Sequence, residues 1–311
     1  MSGLPFKSYA SFLRELFPGR KETRKVVLDA GFRCPNLDGT RGTGGCSYCD
    51  NRSFSPVAGT RKSVAEQLDE GIARLKAKRP EAGVLAYLQP WTNTYGPLER
   101  LRALYESILA DERVDGLAIG TRPDCVDEGV RDLLEELAAR KPVILELGLQ
   151  SANDRTLERI GRGHTAAEWA DARALFRDGT PAKNPRVSLA AHVILGLPGE
   201  TPEDWKTTAR FLAAHPVESV KIHPLHVVKG TRLAEEWERG EFALPTLEEY
   251  ARGVAEFASI LPRSTAVERV SGEAPSDMLL APAWSGDRNA IVRAVLAALG
   301  EVGKESPTGA P

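Results

Sequence analysis

The stretch Gly31–Ser55, GFRCPNLDGTRGTGGCSYCDNRSFS, decides how this chain is read. It carries three of the four cysteines, Cys34, Cys46 and Cys49, with eleven residues between the first two and two between the last two. Gly39, Gly42, Gly44 and Gly45 lie in the longer interval. Such glycine density lets a backbone fold tightly around a bound object. A structural zinc ion wants four ligands, and no fourth Cys or His lies nearby; the next cysteine, Cys125, is far downstream. A disulfide would leave an odd thiol in a chain with no mark of secretion. An iron–sulfur cluster is normally closed by four thiolates. One held by three keeps an iron open for a substrate or cofactor. That reading fits best, because Tyr48 directly precedes the last cysteine and the motif follows a strand-like run, Lys25–Ala30 (KVVLDA).

Outward from this stretch, apolar runs and helical periodicities alternate. Strands are predicted at Lys25–Ala30, Val84–Leu88, Gly116–Ile119, Val143–Leu149, Val187–Leu195 and Ser219–Pro224. Helices are predicted at Ser63–Lys78, Leu98–Leu109, Glu128–Ala139, Asn153–Ile160, Ala166–Arg177 and Thr201–Ala214. Ser63 and Glu66 have capping-box spacing, and Thr201 caps a helix whose first residue is Pro202. Six β-α units with parallel-type strands give one winding α/β sheet with right-handed crossovers. The pattern alone does not choose between an open sheet and a barrel. A short helix at Tyr9–Phe17 would cap one end of the core within residues 1–24. After the sheet-forming residues 25–228, helices at Leu233–Arg239, Leu247–Ile260 and Ile291–Leu299 and a strand at Ala266–Val270 form an extension over 229–300. Residues 301–311 read as a disordered tail.

The 311 residues are 42% hydrophobic, ample for a sizeable core, and carry a net charge of −2. No global basic field marks a non-specific nucleic-acid binder. Arg20, Lys21, Arg24 and Lys25, with Arg61 and Lys62 after the cysteine loop, read as an ordinary solvated surface, the alternative being a local basic patch. The N-terminal segment lacks the apolar core of a signal peptide, and no apolar run approaches the ~20 residues that span a bilayer. An odd cluster of cysteines suits a reducing cytoplasm.

Cys-x11-Cys-x-Tyr-Cys after a first strand resembles the radical S-adenosylmethionine enzymes. The eleven-residue spacing is similar to the YhcC-type subgroup, which is related to the catalytic subunit of Elongator, and the likeness extends from about Leu28 to about Leu299. The resemblance implies an α/β fold, a partial (β/α)6 barrel with a C-terminal α/β extension, whose site gathers at the C-terminal ends of the strands. It implies a [4Fe-4S] cluster on Cys34, Cys46 and Cys49, with S-adenosyl-L-methionine on the open iron. An electron from a donor such as flavodoxin or ferredoxin would generate a 5′-deoxyadenosyl radical. Kinship with Elongator implies a tRNA substrate, modified at a wobble uridine. The alternatives are a radical enzyme acting on a small molecule or a protein side chain, and a non-enzymatic iron–sulfur or zinc module.

The resemblance also implies roles at the strand ends. Tyr48 would lie near the adenine or pack on the first strand. After the second strand stands QPWTNTY, where relatives often carry Gly-Gly-Glu; here Gln89 and Asn93, or Thr94, would meet the cofactor instead. Glu146 and Gln150 share a face of the fourth strand, and buried polar groups need partners, so both should face the interior near the ribose or amino acid. Arg162, in GRGHT, would grip the cofactor carboxylate by a bidentate pair. His192 and Gly196, around the fifth strand, would border the adenine. Catalytic roles fall to Cys125, as hydrogen donor or acceptor of a transferred group, and to Lys221 and His223, two apart on the sixth strand and so on one face. A lone cysteine is more often a small buried hydrophobe. Trp284 and Arg288 match the subgroup's C-terminal stretch without an assigned role.

Overall fold

The computed structural model describes residues 6–177, 187–272 and 274–305. In chain order the elements are β1 (Lys7–Ser8), α1 (Tyr9–Leu16), β2 (Thr23–Leu28), α2 (Val64–Lys78), β3 (Gly83–Leu88), α3 (Leu98–Ala110), β4 (Gly116–Thr121), α4 (Glu128–Ala138), β5 (Val143–Gln150), α5 (Asp154–Arg159), α6 (Ala166–Ala174) and β6 (Ser188–Leu195). There follow α7 (Pro202–Ala214), β7 (Ser219–Pro224), β8 (Val227–Val228), α8 (Arg232–Glu238), α9 (Leu247–Ile260), β9 (Ala266–Arg269), β10 (Leu279–Ala281) and α10 (Arg288–Glu305). Residues 178–186, which follow the predicted helix at Ala166–Arg177, lie outside the described residues, as do 306–311 of the predicted tail.

Eight strands form one parallel sheet in the order β1-β9-β7-β6-β5-β4-β3-β2. The six predicted strands sit side by side in sequence order, as βαβ units with short connections require. Their residues are almost wholly buried, since helices cover the outer face and the sheet encloses its own inner face. Two extra strands went unpredicted as members of this sheet. β9 adds beyond β7, and the two-residue β1 adds beyond β9. β8 and β10 make a separate antiparallel pair over the extension.

The sheet curls into a partial barrel, and one side chain proves it. Lys25 Nζ on β2 bonds Glu268 Oε1 on β9 at 2.7 Å. Those strands are six places apart in the sheet, roughly 29 Å if it were flat at ~4.8 Å per strand. Only a strongly curled sheet brings them within reach of one lysine.

The interior is stacked in layers, as alternation along parallel barrel strands dictates. At the bottom, Leu85, Ala118, Ile144, Ala190 and Ala266 pack on Phe12, Leu13 and Phe17 from α1 and its end. The N-terminal helix thus plugs the barrel. Above this lies a charged layer, and above that an open cleft. The larger apolar core lies outside, between the sheet and the helices.

Local signals match the helix starts. Ser63 and Glu66 form the capping box of α2, and Thr201, Pro202 and Asp204 open α7. On α2, Gly71 faces Val26 of β2, and a Cβ there would overlap Val26 Cγ1. Gly71→Ala is therefore expected to destabilise the fold by about 1–3 kcal/mol despite alanine's better helix propensity. Denaturant titration checks this, and a stabilised variant would show that α2 is free to shift.

Candidate active site

The cysteine loop is stitched across the C-terminal ends of the strands. Asp29 anchors both of its ends, accepting from the backbone N–H of Gly31 at 2.8 Å and of Gly59 at 2.7 Å. The Cys46 carbonyl accepts from Cys49 N–H at 3.1 Å, which turns the short interval back on itself. Gly44 and Gly45 have φ of 79° and 74°, a conformation that disfavours side chains, so these glycines are required by the turn. Asn36 Nδ2 donates to the carbonyls of Gly161 at 2.8 Å and Arg162 at 2.9 Å, and lies 3.4 Å from Cys46 Sγ. Ser47 N–H bonds Ile160 O, and Leu233 N–H bonds Ser47 O.

Cys34, Cys46 and Cys49 open together on a cleft of about 500 Å³. That lies within the ~300–1,000 Å³ of small-molecule sites. None is in a disulfide. Among the described residues no three His, Cys, Asp or Glu side chains group closely enough to hold one metal ion. Three thiols that line one cleft offer a donor set for a thiolate-held group. Arg162 supplies the counter-charge such thiolates need. Its Nη1 is 3.8 Å from Cys46 Sγ, its Nη2 donates to Gly148 O at 3.0 Å, and its buried Nε has no partner among the described residues. The donor set therefore fits a thiolate-held iron–sulfur cluster. Gly148 makes room for the arginine, since a Cβ there would strike Arg162 Nη2 and stand 2.7 Å from Gln150 Nε2.

Only two non-glycine residues among those described have left-handed backbone, Trp91 (φ 68°) and Gln150 (φ 71°), and both line this cleft. Strain of this kind is held where the surroundings over-determine it, and it clusters at functional sites. Trp91 is fixed by its N–H bond to Asn51 Oδ1 at 2.8 Å.

The charged layer forms the floor. Glu146 is fully buried. One of its oxygens takes Lys25 Nζ at 2.6 Å; the other takes Lys221 Nζ at 2.6 Å, Tyr87 OH at 2.6 Å and His192 Nε2 at 2.8 Å. Burial alone would raise its pKa, but Lys221 and Lys25 outweigh burial and hold it well below the usual range. Burial pulls Lys221 down to about 8, against the pull of Glu146 and Glu268, which leaves it a cation at neutral pH. Burial and the Lys221 charge push His192 down to about 4, so its imidazole is neutral. Since the carboxylate accepts, His192 Nε2 carries the proton and Nδ1 is left as an acceptor.

The cleft gathers Tyr48, Gln89, Gln150, Arg162, His192 and His223 of the predicted residues, together with Glu146 as its floor. Several expectations need correction. Glu146 is saturated by four side chains, so it orients neighbours instead of standing free for a cofactor. Lys221 is 2% exposed beneath that floor and does not border the cleft. Asn93 is fully buried, and its amide serves the carbonyls of Leu88, Pro90 and Gly120. Thr94 bonds Thr121 and the Cys125 carbonyl. Gly196 turns the chain at φ 93° against Pro245, and Ile194, two residues earlier, takes the place at the cleft wall. Cys125 lines a separate pocket with Arg41 and Tyr95, where burial and Asp124 push its thiol up to about 12. Tyr48 packs on Leu157, Ile160, Leu197 and Leu225, not on the first strand. Arg122 and Asp124 form a buried ion pair at 2.9 Å. Lys25 belongs to the interior and not to a surface patch, while Arg20 and Arg24 are paired with Asp115 and Glu22.

The model of the Radical SAM superfamily matches residues 38–212, and the Radical SAM C-terminal domain matches 217–301. Protein YhcC of Escherichia coli (strain K12) is 38% identical over 270 residues, covering 86% of this chain and 84% of the relative. A tRNA uridine(34) acetyltransferase of Methanocaldococcus infernus is 31% identical over 188 residues, 59% of this chain and 33% of that protein. Among solved structures, the archaeal Elp3 of Methanocaldococcus infernus with an N-terminal deletion superposes with a TM-score of 0.67 at 20% identity, over 90% of this chain and 63% of that one. Thiols, cleft, barrel and family match agree: the chain is a radical SAM enzyme of the group that includes YhcC, a superfamily that works with a [4Fe-4S] cluster and S-adenosyl-L-methionine.

Proposed function

We propose that this enzyme modifies the wobble uridine of a tRNA by radical chemistry. The observation that carries the reading is the 31% identity to a protein named for tRNA uridine(34). When bound, the cluster supplies the electron that splits S-adenosylmethionine into methionine and a 5′-deoxyadenosyl radical. Cys34, Cys46 and Cys49 would hold the cluster, and Arg162 would neutralise its end of the cleft and orient the cofactor carboxylate through its free Nε. Gln150, His192 and Ile194 would form the wall for the nucleoside of the cofactor. Phe54 is 39% exposed and Leu37 46% exposed at the cleft mouth. An extruded base can stack on such a platform, which is how single-stranded RNA is usually read. The electron would come from a cytoplasmic donor such as flavodoxin or ferredoxin. Among the described residues no helix is long and apolar enough to cross a membrane.

The test is chromatography for 5′-deoxyadenosine after anaerobic reduction of the reconstituted enzyme, with intact tRNA, with nuclease-digested tRNA and with neither. Intact tRNA is expected to stimulate turnover several-fold and the digest not at all. Equal turnover in all three arms, with consumption of a metabolite from an RNA-free extract, would replace tRNA by a small-molecule substrate.

A further inference from the structure

Among the described residues the charged interior carries more cations than carboxylates. Lys25, Lys221 and Arg269 face two carboxylates, Glu146 and Glu268. Both acids are paired with lysines: Lys25 bonds each of them, and Lys221 lies 2.6 Å from Glu146 and 3.4 Å from Glu268. Both contacts to Glu268 run through its Oε1, while its Oε2 has no partner among the described residues. Arg269 has no acidic partner within ion-pair distance among the described residues. Among the described residues its Nη2 reaches only His223 Nε2, at 3.3 Å, and its buried Nε has no partner. Arginine can only donate, so His223 Nε2 accepts and the His223 proton sits on Nδ1. Beside it, His226 Nε2 is also buried without a partner among the described residues. Buried polar groups left open in this way are costly unless something completes them.

The backbone builds this corner on purpose. Val220 pairs with Val267, but Lys221 pairs with Arg269, so the register slips by one at Glu268. Such a bulge sets two residues against one. It lets Glu268 turn to the lysines while its neighbour Arg269 also enters the interior and borders the cleft. Gly272 then closes over the imidazoles: a Cβ there would stand 2.7 Å from His226 Cε1 and 3.4 Å from His223 Nδ1. Burial and the Arg269 charge keep both histidines neutral, His226 at about 4. An anion in the same corner would reverse that second influence. The corner lies three strands along the sheet from Gly148, where Arg162 is anchored beside Cys46. It is therefore distinct from the end of the cleft assigned to the cluster and the cofactor carboxylate.

Resting on the reading of this cleft as the catalytic one, we propose that Arg269, His223 and His226 form an oxyanion subsite that takes one negatively charged group of the substrate, a carboxylate or a phosphate. The guanidinium supplies the charge, and the two imidazoles supply adaptable hydrogen bonds. The subsite fixes the distal end of the substrate while the radical is generated at the thiol end.

Five histidines make the test tractable by NMR of the imidazole carbons, each assigned by substitution. The reconstituted holoenzyme with S-adenosylmethionine bound is titrated with acetate, with dimethyl phosphate and with chloride at constant ionic strength. One of the two oxyanions is expected to shift His223 and His226 saturably and to raise their apparent pKa values, leaving His215 unmoved. The preferred probe separates a carboxylate from a phosphodiester. Arg269→Gln should weaken that binding by about tenfold or more, the worth of a charge-assisted hydrogen bond, and Arg269→Lys by less. No saturable shift with either oxyanion in the wild-type enzyme overturns the subsite, whatever the variants do. A shift seen only without S-adenosylmethionine also overturns it, since the site would then be the cofactor's own. The titration uses no RNA, so it can fail while tRNA-stimulated turnover stands, and the reverse.

Discussion

Replacing Cys34, Cys46 and Cys49 together by alanine is expected to abolish both iron binding and formation of 5′-deoxyadenosine, while the fold survives. Thiolates are the ligands that iron in such clusters prefers. The loop that presents them is held independently of the sulfurs. Asp29 ties its ends, Asn36 ties its middle to the Gly161 and Arg162 carbonyls, and Arg232 Nη2 bonds Gly45 O at 2.6 Å. The triple variant should therefore keep the wild-type circular dichroism and lose the visible absorbance of the reconstituted protein. Turnover should fall to the level of a no-enzyme control. Cys125→Ala should retain the chromophore, because Cys125 lines a different pocket. A triple variant that still cleaves S-adenosylmethionine, or a wild-type protein that takes up zinc tightly and yields no 5′-deoxyadenosine, would sink the thiol-held cluster.

The strand ends were legible in the sequence because parallel barrel strands are apolar runs that stop at polar turns. Six such runs, five of them followed by a predicted helix and two of those helices with a readable cap at Ser63 and Thr201, left little freedom of order. The extension was harder. Ala266–Val270 is recognisable as a strand, but nothing local says that it pairs with β7 or that Lys7–Ser8 then pairs with it. Glu268 and Arg269 were missed for that reason, and a register slip has no local signature that would have pointed to them. Lys25 is a different kind of miss. In KVVLDA Lys25 shares a strand face with Val27 and Asp29, opposite Arg24, Val26 and Leu28, and a charge on a strand buried on both faces needs a partner. Reading it with Arg24 as surface ignored the period of two. Asn93 and Gly196 failed because a polar or glycine residue at a strand end serves the turn as readily as a ligand. Only the bonds to Leu88, Pro90 and Gly120, and the contact with Pro245, decide between them.

Glu146→Ala is expected to cost about 3–5 kcal/mol of stability, the typical effect of removing one partner from a buried ion pair. The carboxylate is fully buried and Lys221 is 2% exposed, so water cannot take its place cheaply. Glu268 alone would remain to neutralise Lys25, Lys221 and Arg269, and Tyr87 and His192 would each lose an acceptor. Glu146→Ala combined with Lys221→Met should recover more than half of that loss. The double variant removes the most deeply buried cation along with its partner, fills the space with an apolar chain, and leaves the 2.7 Å pair of Lys25 with Glu268 intact. Denaturant midpoints of the wild type, the two single variants and the double variant give the coupling directly. Additive losses would mean that Lys221 does not depend on Glu146. A cost under about 1 kcal/mol for Glu146→Ala, the ordinary effect of a substitution, would mean that the layer is hydrated and screened. In the expected case the floor of the cleft is a rigid charged lattice, and the neutral His192 above it is held in one tautomer by the same carboxylate that ties β2 and β7 to β5 across the interior.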